Sequence, residues 1–87
     1  MNSDLGEHIN IGKDTERRLL SVGVHSFAAL KKLGSKKAFL LLQRLDPGAC
    51  LDLLYGLEGA IQGIKWNELD EEKKEELRHF HQKAKKL

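Results

Sequence analysis

Eighty-seven residues, 40% of them apolar, carry one cysteine and a net charge of +2. That leaves room for one modest core burying roughly 60–65% of the unfolded surface, and it excludes an internal disulfide. The longest unbroken apolar run, Ala38 to Leu42, is far short of the roughly 18 residues of a membrane span, and residues 1–7 have neither the basic start nor the apolar stretch of a signal peptide. A single cytoplasmic domain over residues 1–87 is expected, with 1–7 as a flexible start and 82–87 as a fraying end.

Helical periodicity dominates the chain, and no interior segment alternates like a strand. The first helix is predicted from Lys13 to Val22, with Leu19 and Leu20 inward and Gly23 as its stop. Ser26 caps a second helix, Phe27 to Leu33, and Gly34 ends it. Ser35 caps a third, Lys36 to Leu45. Asp46 and Pro47 open a fourth, with Pro47 at the first helical position, where its missing N–H costs nothing. The fourth helix runs to Ile64 and is the expected centre of the fold. Its apolar stripe is Cys50, Leu54, Leu57, Ile61 and Ile64, and Cys50 is read as a buried core thiol. Beside it lies a small-residue stripe with Gly56, Gly59 and Gly63. Glycine inside a helix costs roughly 1 kcal/mol relative to alanine, so a close neighbour is expected to compensate. Trp66 should cover one end of the core. Asn67 or Asp70 caps a fifth helix toward Lys86, acidic at its start and basic at its end as the helix dipole prefers. The predicted class is all-α, five helices, with a core of Leu19, Leu20, Phe27, Leu30, Leu33, Leu42, Leu45, Leu54, Leu57, Ile61, Ile64 and Phe80.

Charge is unevenly spread. Residues 1–45 hold eight Lys/Arg against four Asp/Glu, and residues 46–64 hold three Asp/Glu and no Lys/Arg. Such polarity serves a phosphate backbone or an acidic partner, or it is simply a solvated face. The segment His8 to Lys13 looks like the turn of a helix-hairpin-helix. There, backbone N–H groups at a helix start meet a DNA phosphate. Asn10, Ile11, Gly12 and Lys13, with Arg17 and Arg18 one turn on, are therefore the candidate phosphate- or DNA-binding residues. The alternative is a purely structural turn. Leu40 lies in the middle of the third helix's polar stripe, between Lys36 and Arg44. It joins Gly56, Gly59 and Gly63 as a candidate protein contact.

Catalytic chemistry finds no purchase. Cys50 has no catalytic pairing. His79 and His81, two apart on a helix, point to different sides and cannot chelate one metal. No zinc-ligand spacing or phosphate loop is present. No catalytic, metal or cofactor site is assigned, no cofactor or small-molecule substrate is expected, and the chain is read as a non-enzyme.

The run from Cys50 to Trp66, with Asn10-Ile11-Gly12, Glu16, Leu19, Gly23-Val24, Leu33-Gly34 and Ala38, is similar to the C-terminal domain family of the competence regulator TfoX. The resemblance spans residues 8–80. It implies a compact helical fold related to helix-hairpin-helix and sterile-alpha-motif domains, and a link to regulation of genes for DNA uptake. The family's founding proteins carry a further N-terminal domain, and Ile9 stands where proline would precede the turn. The function read from this is a regulatory protein-interaction module with a protein partner, which includes a second copy of itself. Weak, sequence-indifferent DNA binding through Asn10–Lys13 is the alternative.

Overall fold

The computed structural model describes residues 3–86, and among these every regular element is helical. Five α-helices follow in order: α1 (Lys13–Ser21), α2 (Phe27–Leu33), α3 (Ser35–Leu45), α4 (Leu51–Gln62) and α5 (Glu71–Ala84). Short 3₁₀ turns precede α1 (Leu5–Glu7) and α5 (Trp66–Glu68). The expected all-α class and its five helices hold.

Local chemistry sets the boundaries. Ser26 caps α2 by accepting the Ala29 N–H at 3.1 Å, and Asp70 caps α5 by accepting the Lys73 N–H at 2.7 Å, each satisfying a free first-turn donor. Helices α1 and α4 share one kind of stop. At Gly23 (φ +90°) and Gly63 (φ +77°) the backbone turns left-handed. Val24 N–H then bonds the Leu19 carbonyl, and Ile64 N–H bonds the Gly59 carbonyl, the paired closure of a Schellman stop. Gly63 is thus a helix terminus, not part of the α4 interior.

Helix α4 is central, packed against α2, α3, α5 and the second 3₁₀ turn. It buries Leu54, Tyr55, Leu57, Gly59 and Ala60. Phe39 and Leu42 of α3, Leu19 of α1, Leu30 of α2 and Leu77 of α5 complete the core. Leu20, Phe27, Leu33, Ile61, Ile64 and Phe80 are half-buried around it.

Several expectations need correction. Helix α4 starts at Leu51, not Pro47. The Asp46 carboxylate accepts the Gly48 N–H at 3.1 Å and the Asp46 carbonyl accepts the Ala49 N–H at 2.9 Å. This local turn competes with helix. The Ala49 carbonyl is also taken, by His81 Nε2–H at 3.1 Å. Cys50 therefore lies outside the helical stripe and is exposed. Ser35 is not a cap: Gly34 holds that position, and the Ser35 hydroxyl donates to Glu58 at 2.6 Å, tying α3 to α4. Leu45 is 56% exposed, because it ends α3 two turns beyond Ala38, the buried residue on its side. Trp66 is 45% exposed; it stacks on Tyr55 at 6.3 Å between ring centres instead of sealing the core.

Near the N-terminus Leu5 is fully buried; residues 1–2 lie outside the described residues. Asp4 accepts the Phe27 N–H at 2.8 Å, and Glu16 accepts from the Ser3 hydroxyl and from Gly6 N–H at 3.1 Å. At the other end, His81 and Ala84 are buried, which anchors the last turn of α5; residue 87 lies outside the described residues.

Two outcomes follow for stability. The Ser3 hydroxyl, first, and the Gly6 N–H hold the Glu16 carboxyl below its ordinary value of 4.5. Bonds from Lys36 and Lys73 do the same to Glu76. A carboxylate favoured in the folded state stabilises above about pH 4.5, and that stabilisation is lost as pH falls through the folded-state value. Thermal unfolding followed by circular dichroism should show a falling midpoint below about pH 4.5, with a shallower fall in Glu16→Gln. An equally steep fall in that variant would remove Glu16 from the account.

Candidate functional site

The proposed phosphate turn is built around a residue in an unusual conformation. Asn10 is the one non-glycine residue with positive φ among those described, at +70°, a region asparagine tolerates better than most. That geometry aims its side chain across the molecule. Nδ2–H donates to the Ile64 carbonyl at 2.8 Å, and Oδ1 accepts the Trp66 N–H at 3.3 Å. Asn10 therefore clamps the N-terminal turn onto the chain leaving α4. Its side chain is spent inside the protein, and Ile11 beside it is buried.

The clamp also accounts for the small residues of α4. A Cβ on Gly59 would stand 2.6 Å from Asn10 Nδ2 and 2.8 Å from the Ile64 carbonyl oxygen, closer than atoms pack. A Cβ on Gly56 would sit 3.7 Å from Asn10 Cβ, an ordinary contact. The close neighbour expected for these glycines is thus the Asn10 turn of the same chain, not a second helix. Gly59 is buried and offers nothing to a partner; Gly63 is exposed but serves as the stop of α4. Burial removes Gly59 from the candidate protein contacts.

The cations near the turn are largely engaged. Gly12 and Lys13 are exposed at the start of α1. Arg17 pairs with Asp14 at 3.7 Å, and Arg18 reaches Asp14 at 3.1 Å and Asp46 at 3.5 Å. Asp14, in the first turn of α1, already supplies the negative charge that a helix start attracts. A phosphate arriving there would compete with it. What precedes the turn is a three-residue 3₁₀ turn, too short to act as a first helix. The structure brings Asn10, Gly12, Lys13, Arg17 and Arg18 to one end of the molecule, where Asn10 and Arg18 are engaged and Gly12, Lys13 and the largely exposed Arg17 face solvent.

Helices α3 and α5 pack against each other. Lys36 pairs with Glu76 at 2.6 Å and sits 5.7 Å from the Phe80 ring centre. Gln43 donates to the Ala84 carbonyl at 3.1 Å. Lys37, Leu40 and Arg44 form the outward ridge of α3, with Leu40 half-buried and the two cations exposed. Pro47, Ala84 and Lys85 meet this ridge. Sequence reasoning singled out Leu40 but missed those three, since only the fold brings the end of α5 to the turn after α3. Among the described residues no three side chains of metal-binding type come together, and no helix is long and apolar enough to cross a membrane.

Four helices around a central fifth, closed by an asparagine clamp, define a small all-helical domain whose most distinctive residues are structural. The chain belongs to the TfoX C-terminal domain family, whose model matches residues 1–81. Two solved structures share the fold. An uncharacterized protein from Listeria monocytogenes, in a triclinic crystal, is 49% identical with a TM-score of 0.89, covering 91% of this chain and 90% of that one. A protein of unknown function from the same organism, in a tetragonal form, is 49% identical with a TM-score of 0.90, covering 92% and 99%. No curated protein matches significantly.

The clamp predicts an order of stabilities. Asn10→Ala loses two hydrogen bonds of about 1 kcal/mol each and strains the left-handed backbone by roughly 1 kcal/mol more. Asn10→Gly loses the bonds without that strain. Urea unfolding should rank wild type above Asn10→Gly and Asn10→Gly above Asn10→Ala. Gly56→Ala should be neutral or stabilise by up to about 1 kcal/mol. Gly59→Ala should destabilise by about 1–3 kcal/mol. Equal effects at the two glycines would contradict the close approach.

Proposed function

We propose that this chain is a non-catalytic interaction module, working in the cytoplasm in transcriptional control linked to DNA uptake. The link to DNA uptake rests on family membership. The interaction reading rests on one contrast. The turn that would hold a phosphate spends its asparagine within the chain and pairs Arg18 with Asp14 and Asp46, whereas the outward ridge of α3 keeps Lys37, Leu40 and Arg44 available. A surface that mixes an apolar side chain with unpaired charge suits a protein partner.

Contact with phosphate through Lys13 would position the chain on DNA without reading bases. Binding of a short duplex, followed by anisotropy, should be weak and indifferent to sequence. Its logarithm should fall against log salt with a slope no steeper than about −3, and Lys13→Glu with Arg17→Glu should abolish it. A photo-crosslinking amino acid at position 37 should give protein adducts in the native cell, and one at position 13 should give fewer. Tight, sequence-specific duplex binding, or DNA adducts at position 13 with none to protein at position 37, would overturn the proposal.

A further inference from the structure

The last turns of α3 and α5 bound a surface cleft of about 430 Å³, lined by Leu40, Gln43, Arg44, Pro47, Ala84 and Lys85. Its floor is apolar. Leu40 packs on the core with one side still open, Ala84 is buried beneath, and Pro47 closes the end. The Gln43 amide is spent on the Ala84 carbonyl at 3.1 Å, a bond that joins the two walls.

The rim is cationic and uncompensated. Arg44 and Lys85 are exposed, and neither pairs with a carboxylate among the described residues. Lys37 continues the rim along α3. Helix α3 contains no acidic residue, and the chain has none after Glu76. The groove between α1 and α4 is the opposite case: Asp14, Asp46 and Asp52 line it, and the first two pair with Arg18.

An occupant of the α3–α5 cleft must satisfy both features. It needs an apolar side chain to cover Leu40 and Pro47, and carboxylates to meet Arg44 and Lys85. A phosphodiester backbone supplies only negative charge and would leave the floor wet. An amphipathic segment with apolar residues three or four apart and acidic residues beside them supplies both. A second copy of this chain fits poorly. Its most acidic stretch, residues 70–76, is flanked by Leu69 and Leu77, both buried, and the exposed Trp66 nearby is stacked on Tyr55.

We propose that the α3–α5 cleft docks an acidic amphipathic segment of a partner protein, with an apolar side chain on Leu40 and carboxylates at Arg44 and Lys85. This rests on the interaction-module reading and adds the surface and the partner's chemistry. The test is to pan a random peptide-display library on the full chain and measure the enriched peptides by anisotropy. They should be net negative, with Leu, Ile or Phe at helical spacing. They should bind at least ten-fold more weakly to Leu40→Asp and to Arg44→Glu with Lys85→Glu, and equally well to Lys13→Glu with Arg17→Glu. The Arg44 and Lys85 variant alters only exposed, unpaired side chains, so it separates loss of binding from loss of fold; circular dichroism confirms this for each protein. Peptides that bind both cleft variants as tightly as wild type would overturn the cleft while leaving the interaction module standing. A library that yields no peptide would overturn both. A DNA duplex that displaces the peptides from the cleft, or a wild-type dimer that Leu40→Asp dissociates, would show a different occupant and overturn the proposal.

Discussion

The architecture depends on Asn10 reaching the end of α4. One side chain, held in the left-handed backbone region, satisfies a carbonyl and an N–H that lie 54 and 56 residues away in sequence. The bond is possible only because position 59 has no Cβ. Glycine inside a helix costs roughly 1 kcal/mol relative to alanine. Two hydrogen bonds of about 1 kcal/mol each are enough to offset that cost. The clamp also orders what surrounds it, since Ile11 is drawn into the core and the chain after Gly63 is fixed where Trp66 meets Tyr55.

The N-terminal residues follow from the same constraint. Once Asn10 is fixed, residues 3–8 are close enough to serve the helices. Asp4 caps the start of α2, Glu16 receives Ser3 and Gly6, and the His8 ring stacks on Phe27 at 3.5 Å between centres. Leu5 then fills the core. In a chain this small, one such leucine is worth roughly 1.5–3 kcal/mol, a large fraction of a stability typically near 5–15 kcal/mol.

Much of this was legible in the sequence wherever local chemistry decides. The limits of α1 and α2 and the Gly23 stop follow from residue type and position alone, and the α5 cap is narrowed to Asn67 or Asp70, of which the structure uses Asp70. Several failures arise where a second interaction, local or distant, competes with a residue's preference. Asp46-Pro47 is a good helix start, yet the Asp46 side chain and His81 hold that segment as a turn. Cys50 fell on an apolar stripe that the helix does not include. His81 is polar by type, but it is buried because the Ala49 carbonyl faces it. The stripe of α4 glycines was visible and so was the Asn10 turn. That each explains the other was not, because no periodicity links residues some fifty positions apart. At the candidate site, Leu40 stood out as an apolar residue among cations. The cleft around it needed the fold.

The conservation of effort in this molecule separates two ends. Near Asn10, polar side chains hold the chain together; along the α3–α5 cleft, Lys37, Arg44 and Lys85 have no carboxylate partner among the described residues. The division rests on the clamp, and a double-mutant cycle tests it most directly. The stability of wild type, Asn10→Ala, Gly59→Ala and the double variant should be measured by urea unfolding under one set of conditions. Because the added Cβ displaces the same side chain that the first substitution removes, the two losses should overlap. The double variant is predicted to lose less than the sum of the singles, by at least about 0.5 kcal/mol, the lower bound for residues in contact. Additive losses would contradict the clamp as the contact on which the fold depends.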